Sequence, residues 1–200
     1  MPFLQELSSW AAVPRAKAST IPAPPVLGGQ APTTPKIPLE PGQPSIICFL
    51  RHCGCPFAEK TYLNLRETAI AHRHIAFVAV SHSAESATDA WLRSLPQHSS
   101  EPANLVIVVD EDLEAYAAWG LGPSSYAHVV SPWALWDVWR LGRDENIWNR
   151  PTESGSRWQT SGFWAVDAEG VVRWGRRAVR ASDVPDFEDG VRALERAEGQ

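Results

Sequence analysis

The sequence predicts an α/β protein in which a mixed β-sheet is flanked by helices and preceded by a proline-rich arm. Short apolar runs alternate with helical patterns through the middle of the 200-residue chain. A hairpin pattern and an amphipathic helix follow near its end. Ten of the 17 prolines fall in the first 44 residues, and their recurrence over residues 13–44 excludes a helix or a central strand in that segment.

The first half of the domain alternates strands and helices. Three short runs rich in β-branched and aromatic residues are typical of buried strands. Helix-forming segments separate them, and Pro56 stands in the first turn of the first long helix. The strands are expected at residues 45–51, 75–81 and 105–109, and the helices at 56–72, 84–95 and 113–119. Such alternation predicts right-handed parallel βαβ units.

The second half changes character. A helix is expected over residues 132–141, where Trp133, Trp136 and Trp139 share one face that predicts core or interface packing. Strands at 163–167 and 171–174 would form an antiparallel hairpin, followed by a closing helix at 186–197. This order of elements fits a thioredoxin-like fold.

Two regions follow from these patterns. Residues 1–44 form a short helix, over residues 3–10, and the proline-rich arm, whereas residues 45–200 form the domain. The composition allows two interpretations of the arm: a disordered tail, or an extended segment lying on the domain. In the second case five apolar side chains could dock, namely Ile21, Val26, Leu27, Ile37 and Leu39.

Charge and composition exclude several classes of function. The net charge of −5 argues against a nucleic-acid partner. No apolar run is long enough to span a membrane, and no secretory signal is visible, so we expect a cytoplasmic protein. Three cysteines without such a signal predict free thiols rather than a disulfide framework. The cysteines and histidines lack the spacing of a metal site.

The most informative segment is Arg51-His52-Cys53-Gly54-Cys55-Pro56, where the first strand ends and the first helix begins. Cys55 would lie at the helix N-terminus, where unpaired N–H groups and the dipole stabilise a thiolate. Arg51 and His52 add positive charge. These four residues, Arg51, His52, Cys53 and Cys55, are therefore the candidate catalytic group. Cys53 could pair with Cys55, resolve its oxidised form, or only line the loop, whereas Cys48 is expected to be a buried hydrophobe.

Weaker candidates surround this segment. His82 follows the second strand and is either a base or ligand, or an ordinary surface histidine. Glu59 either faces Cys55 or is solvated. Trp158 and Trp164 could form an apolar wall around a bulky substrate.

The segment FLRHCGCPFAEKT resembles the active site of the peroxiredoxin-like branch of the alkyl hydroperoxide reductase/thiol-specific antioxidant proteins, which belong to the thioredoxin superfamily. The resemblance continues through YAAWGL and SGFWAVDAEGVVRW and covers roughly residues 40–197. It implies that Cys55 corresponds to the peroxidatic cysteine. The resolving cysteine of thioredoxins falls on Ala58, and the peroxide-binding Thr or Ser of peroxiredoxins falls on His52.

The resemblance also implies where substrate is held. The thioredoxin cis-proline position falls on Gly162, and the catalytic arginine of typical peroxiredoxins falls on Ser161. Thr160 and Ser161 are expected beside the thiol, and Arg157 could supply a guanidinium from the preceding loop.

Three functions remain open at this point. The first is a thiol oxidoreductase that reduces peroxides through Cys55, without a bound cofactor and with an external thiol, glutathione or thioredoxin, as reductant. The second is a repurposed enzyme acting on a hydrophobic small molecule in a secondary biosynthetic pathway. The third is a non-enzymatic redox-sensing or interaction module that forms a homodimer through its Trp-rich face.

Overall fold

The computed structural model describes residues 21–37, 39–124, 132–150 and 154–199, which contain the central sheet and its helices. The helix expected over residues 3–10 lies outside this part of the chain. No helix within the described residues is both long and apolar enough to cross a lipid bilayer.

Each predicted strand and helix that falls in the described residues is present. The strands are β1 (Ser45–Phe49), β2 (Ala76–Ser81), β3 (Leu105–Val109), β4 (Gly162–Val166) and β5 (Val172–Arg177). The helices are α1 (Pro56–Ala71), α2 (Glu85–Ser94), α3 (Glu114–Ala118), α4 (Pro132–Glu145) and α5 (Phe187–Glu198). Helix α4 continues four residues past its predicted end, through Gly142, whose Cα lies close under the ring of Trp148.

The five strands form one mixed sheet in the order β3-β2-β1-β4-β5. Strands β1, β2 and β3 are parallel, as the βαβ pattern predicts, and β4 and β5 are antiparallel to their neighbours. The mixed sheet flanked by helices therefore confirms the predicted thioredoxin-like fold class. The carboxyl end of β1 lies in the middle of the sheet, between β2 and β4, and this is where the cysteine loop begins.

Side chains of β1, β2 and β4 alternate between the two faces of the sheet, as the pleat requires. A bulge in β5, opposite Ala165 and Val166, interrupts this alternation, so Val172 and Trp174 lie on opposite faces. On one face, which we call the cysteine face, Cys48 and Phe163 pack with α1, α2, α5 and both loop cysteines. On the other, the tryptophan face, Phe49 and Trp164 pack with Trp119 and α3.

The described part of the arm is an extended segment that lies on the domain. Gly28 donates its N–H to the Val172 carbonyl at 2.8 Å, and the Val172 N–H donates to Gly29 at 2.9 Å. These bonds cover the outer edge of β5, an edge that would otherwise offer unpaired N–H and C=O groups to other chains. Further along, the Lys36 ammonium reaches the buried Asp110 carboxylate at 2.8 Å.

The apolar side chains expected to dock the arm divide into two groups. Ile37 is fully buried in the tryptophan face, and Leu39 packs against that face. Val26 and Leu27 are exposed, so their predicted docking is wrong. The backbone bonds of the neighbouring glycines hold this part of the arm instead.

Candidate active site

The cysteine loop is a tight turn between β1 and α1. Cys55 is the N-cap of α1, and Pro56 is the first helical residue, as predicted. The Cys55 N–H donates to the His52 carbonyl at 3.1 Å, and Gly54 between them has φ of +102°, a left-handed conformation that favours glycine. Cys55 itself is buried among the residues of the cysteine face.

Cys53 lies in more polar surroundings than Cys55. Its Sγ is 3.6 Å from the Ser81 hydroxyl and 3.8 Å from the Thr88 hydroxyl, and these two hydroxyls are 2.9 Å apart. The Cys53 N–H donates to Ser83 Oγ at 3.1 Å. Groups from the end of β2 and from α2 therefore hold both the backbone and the sulfur of Cys53.

A cavity of about 210 Å³ opens beside the cysteine loop. Cys53 and Gly54 form its base, and α2 forms an apolar wall. Cys53, and not Cys55, is among the lining residues, which are Cys53, Gly54, Ala87, Ala90, Trp91, Ser94 and Arg150. Of the two loop cysteines, Cys53 is thus the one that faces this space.

Arg51 is a buried cation that is only partly bonded. Its Nη2 donates to the Arg157 carbonyl at 2.9 Å, whereas its Nε and Nη1 have no hydrogen-bond partner. Arg51 also lines a small cavity, of about 10 Å³, together with Phe57, Ala58 and Ser161. The side chain of Arg51 therefore shares a cavity with the position at which the resemblance places a catalytic arginine.

His52 is a buried imidazole whose two ring nitrogens both lack a hydrogen-bond partner. Burial holds its pKa well below the usual value, and the positive charges of Arg51 and Arg157 lower this pKa further. His52 is consequently neutral at physiological pH.

His82 is buried at the end of β2, so its interpretation as a surface histidine is wrong. Its Nε2 lies 3.1 Å from the Ser156 carbonyl, and its Nδ1 lies 3.3 Å from the Tyr116 hydroxyl. Burial lowers the pKa of His82 to about 4. Because a carbonyl can only accept, the neutral ring carries its proton on Nε2.

Residues 154–157, which we call the cover segment, close the site from above. Ser83 donates its hydroxyl to the Ser154 carbonyl at 3.2 Å. Gly155 has φ of +85°, and a Cβ at this position would lie 2.6 Å from Ser83 Oγ and 3.2 Å from His52 Cβ. Only glycine allows this close approach. The same segment brings the Arg157 carbonyl to Arg51 and the positive charge of Arg157 close enough to His52 to lower its pKa. A role for the Arg157 guanidinium in holding substrate stays a prediction.

Glu59 neither faces solvent nor stands free beside the thiol. Arg150 donates to both of its carboxylate oxygens, at 2.8 and 3.0 Å. The Arg150 N–H also donates to the Gly54 carbonyl at 3.0 Å. This two-bonded ion pair, in which Glu59 is buried and Arg150 is partly exposed, ties the chain after α4 to the cysteine loop.

Three predicted substrate contacts need correction. The Thr160 hydroxyl donates to the Gly122 carbonyl at 2.6 Å and so holds the backbone. Trp164 lies on the tryptophan face, 5.2 Å from Trp119 between ring centroids, because Phe163 takes the alternate position towards the cysteines. Trp158 is fully buried and therefore does not present an open wall to substrate.

Two tryptophans of α4, Trp136 and Trp139, do not form part of the core. Trp136 and Trp139 are 56% and 44% exposed, and their rings stack on each other at 4.9 Å. Core packing is therefore wrong for these two residues, and an interface stays a prediction. The side chain of Trp133 lies outside the described residues.

Sequence reasoning missed the hydroxyls around Cys53. Ser81 and Ser83 flank His82, and all three follow the apolar run of β2. A signal was present, because β1 and β2 are parallel neighbours and their carboxyl ends meet at one edge of the sheet. Thr88 comes from α2, and nothing in its local sequence marks it. No three His, Cys, Asp or Glu side chains gather as a metal site in the described part of the chain.

Comparison with solved structures identifies the architecture. A peroxiredoxin-like protein from Aquifex aeolicus matches with a TM-score of 0.52 and 12% identity, over 78% of this chain and 73% of that one. A mutant PrxQ from Xylella fastidiosa matches with a TM-score of 0.52 and 12% identity, over 80% of each chain. AhpC from Enterococcus faecalis gives 0.50 and 13%, over 80% and 77%. The chain has a peroxiredoxin-like thioredoxin fold.

The resemblance seen in the cysteine segment is thus confirmed at the level of the fold. No protein-family model matches the chain, and no curated protein matches its sequence. At 12–13% identity, these structures establish the fold and do not establish the reaction.

Proposed function

We propose that the chain is a cysteine-dependent thiol oxidoreductase that reduces hydroperoxides, with Cys55 as the attacking residue. One observation carries the proposal. Cys55 caps α1 directly after a loop in which the buried Arg51 guanidinium keeps two nitrogens without a partner. Buried donors without partners cost free energy, and they are characteristic of sites that bind a ligand or stabilise developing charge.

The first step is attack of the Cys55 thiolate on the hydroperoxide. A sulfur–oxygen bond forms as the O–O bond breaks, leaving a cysteine sulfenic acid and an alkoxide. The N–H groups of Arg51 stabilise the charge that develops on the departing oxygen. His52 is neutral and unpartnered, so its imidazole can take the thiol proton and return it to the alkoxide, which leaves as the alcohol.

The second step removes the oxidised sulfur. The Cys53 thiol attacks Cys55, and a disulfide forms with release of water. Both residues belong to the turn closed by the bond from the Cys55 N–H to the His52 carbonyl, which favours their pairing. An external thiol then reduces the disulfide, and the cycle needs no bound cofactor.

Stopped-flow kinetics with hydrogen peroxide tests the proposal. The wild-type protein should react far faster than free cysteine, and Cys55→Ser should abolish both this reaction and thiol-dependent turnover. Cys48→Ala, which removes a buried thiol from the same face, should keep both. A wild-type rate equal to that of free cysteine would contradict the proposal.

A further inference from the structure

We propose that the cavity beside Cys53 binds the reducing substrate, a low-molecular-weight thiol that carries a carboxylate. Its sulfur exchanges with Cys53, while the carboxylate binds Arg150. The role in turnover rests on the proposed peroxide chemistry. Binding in the cavity and exchange at Cys53 do not depend on that chemistry and can be measured separately.

The size of the cavity favours a small molecule. At about 210 Å³ it is smaller than the roughly 300–1,000 Å³ typical of sites for drug-sized ligands. Cys53 is only 5% exposed at its base. A reductant protein is too bulky to bring its own cysteine into contact with so little exposed surface, whereas a short thiol can reach Cys53.

The lining of the cavity indicates the chemistry of the ligand. Ala87, Ala90 and Trp91 offer an apolar wall for a short methylene chain. Arg150, which also lines the cavity, uses its Nε and one Nη2 proton on Glu59, so three of its five N–H groups are left for another acceptor. A carboxylate is the acceptor that this planar donor set suits best.

The hydroxyls behind Cys53 suit it to exchange. Ser81 and Thr88 lie within 3.8 Å of the sulfur and fix its position from the side opposite the loop. The Ser81 hydroxyl can donate to the sulfur when Cys53 leaves as a thiolate. Cys53 therefore combines access from the cavity with a donor that stabilises its anion.

Two molecules of the thiol reduce the protein disulfide in two successive exchange steps. The thiolate RS⁻ attacks the Cys53 sulfur of a Cys53–Cys55 disulfide, so a new S–S bond forms to Cys53 and Cys55 leaves as a thiolate. A second RS⁻ attacks the sulfur of the bound thiol, which releases RSSR and the Cys53 thiolate. Two thiols are oxidised and one protein disulfide is reduced.

Labelling with small disulfides tests binding and exchange without any peroxide. In a Cys55→Ser protein, the Cys53 thiolate should attack 3,3′-dithiodipropionate about tenfold faster than cystamine or bis(2-hydroxyethyl) disulfide. Intact mass gives the rate, and peptide mapping gives the site. Normalising each rate to that of free cysteine removes the intrinsic reactivity of each probe.

Two sets of variants locate the site. Ala90→Leu fills the cavity and should slow labelling by dithiodipropionate about tenfold, whereas Ser86→Leu, on an exposed position of the same helix, should not. Glu59→Gln combined with Arg150→Met should make the three normalised rates converge, because the carboxylate loses its partner. Melting temperatures establish that each variant is folded.

Three results would overturn the proposal: equal normalised rates for the three probes, equal effects of Ala90→Leu and Ser86→Leu, or labelling at a cysteine other than Cys53. The outcome is separate from that of the peroxide experiment. If the peroxide reaction fails and Cys53 still shows the carboxylate preference, the cavity proposal stands alone. If Cys55 reacts with peroxide and Cys53 shows no preference, only the cavity proposal falls.

Discussion

The two faces of the central sheet use their buried side chains in different ways. On the tryptophan face, Phe49 packs 5.0 Å from Tyr116 and 5.9 Å from Trp164 between ring centroids. On the cysteine face, the apolar core gives way, at the end of β1, to a buried arginine and a buried histidine with open hydrogen-bonding positions.

The two faces therefore make different contributions to the free energy of folding. Aromatic clusters bury much apolar surface and tolerate a few unpaired indole N–H groups, such as those of Trp119 and Trp164. A buried guanidinium with unpartnered nitrogens adds no comparable packing and costs free energy. In the proposed function, the cysteine face gives up stability for a reactive site, while the tryptophan face supplies the stability.

The largest expected effect is a loss of activity without a loss of stability, on changing Cys55 of the cysteine face. Cys55→Ser should reduce thiol-dependent peroxide turnover more than about a hundredfold, because the hydroxyl is a far weaker nucleophile than the thiolate. The free energy of unfolding should change by less than about 1 kcal/mol, since the replacement is nearly isosteric. Turnover assays measure the loss of activity, and urea denaturation measures the free energy of unfolding. Loss of folding together with activity would contradict the separation of roles.

A substitution on the tryptophan face should instead lower the stability of the fold. Trp164→Ala should lower the free energy of unfolding by about 3–5 kcal/mol, because it leaves a cavity in a fully buried cluster. Trp136→Ala, on exposed α4, is the matched control and should stay within about 0.5 kcal/mol of the wild type. Urea denaturation measures both. Similar losses in the two variants would mean that Trp164 is not part of the stabilising cluster.

Acid should destabilise the folded chain through two buried histidines, His82 and His52. The pKa of His82 is lowered to about 4, so between pH 6.5 and 4 the unfolded chain binds a proton that the folded chain does not. Stability should therefore fall across this window by up to about 3 kcal/mol, and the lowered pKa of His52 acts in the same direction. The difference between the denaturation midpoints at pH 7.5 and 5 should shrink in His82→Gln, where only the contribution of His52 remains. It should keep its wild-type size in the control His98→Gln.

A smaller effect sharpens the role of Arg51. Arg51→Lys keeps the charge but loses the planar set of donors, so the second-order rate with hydrogen peroxide should fall about tenfold. Arg177→Lys, on the exposed end of β5, should leave the rate unchanged. An Arg51→Lys protein that reacts at the wild-type rate would show that charge alone suffices at this site.

The sequence predicted the elements well because their signals are local. Pro56 marks the start of α1, and Ala168-Glu169-Gly170 marks the hairpin between β4 and β5. The position of Cys55 follows from the same strand–helix junction. Period-two alternation also predicts that Phe163 and Trp164 face opposite sides, but not which of them faces the cysteines. That choice depends on which helices cover each face.

The remaining features of the site come from contacts far apart in the sequence. The Thr88 hydroxyl meets Cys53 from α2, and Arg150 meets Glu59 from beyond α4. The burial of His82 requires the cover segment, more than 70 residues later in the chain. None of these pairings has a local pattern, so the surroundings of the cysteines were less predictable than the cysteines themselves.

The docked arm has a consequence for the order of folding. Residues 28–31 are synthesised well before their partners at residues 170–172, which follow much later in the chain. Long-range pairing of this kind forms slowly, and domains fold as their chain becomes available. The arm must therefore wait, extended and unpaired, until β5 is complete. Its many prolines keep it from forming a helix or joining another sheet during that time. The arm is thus synthesised before β5 but pairs only once β5 has formed.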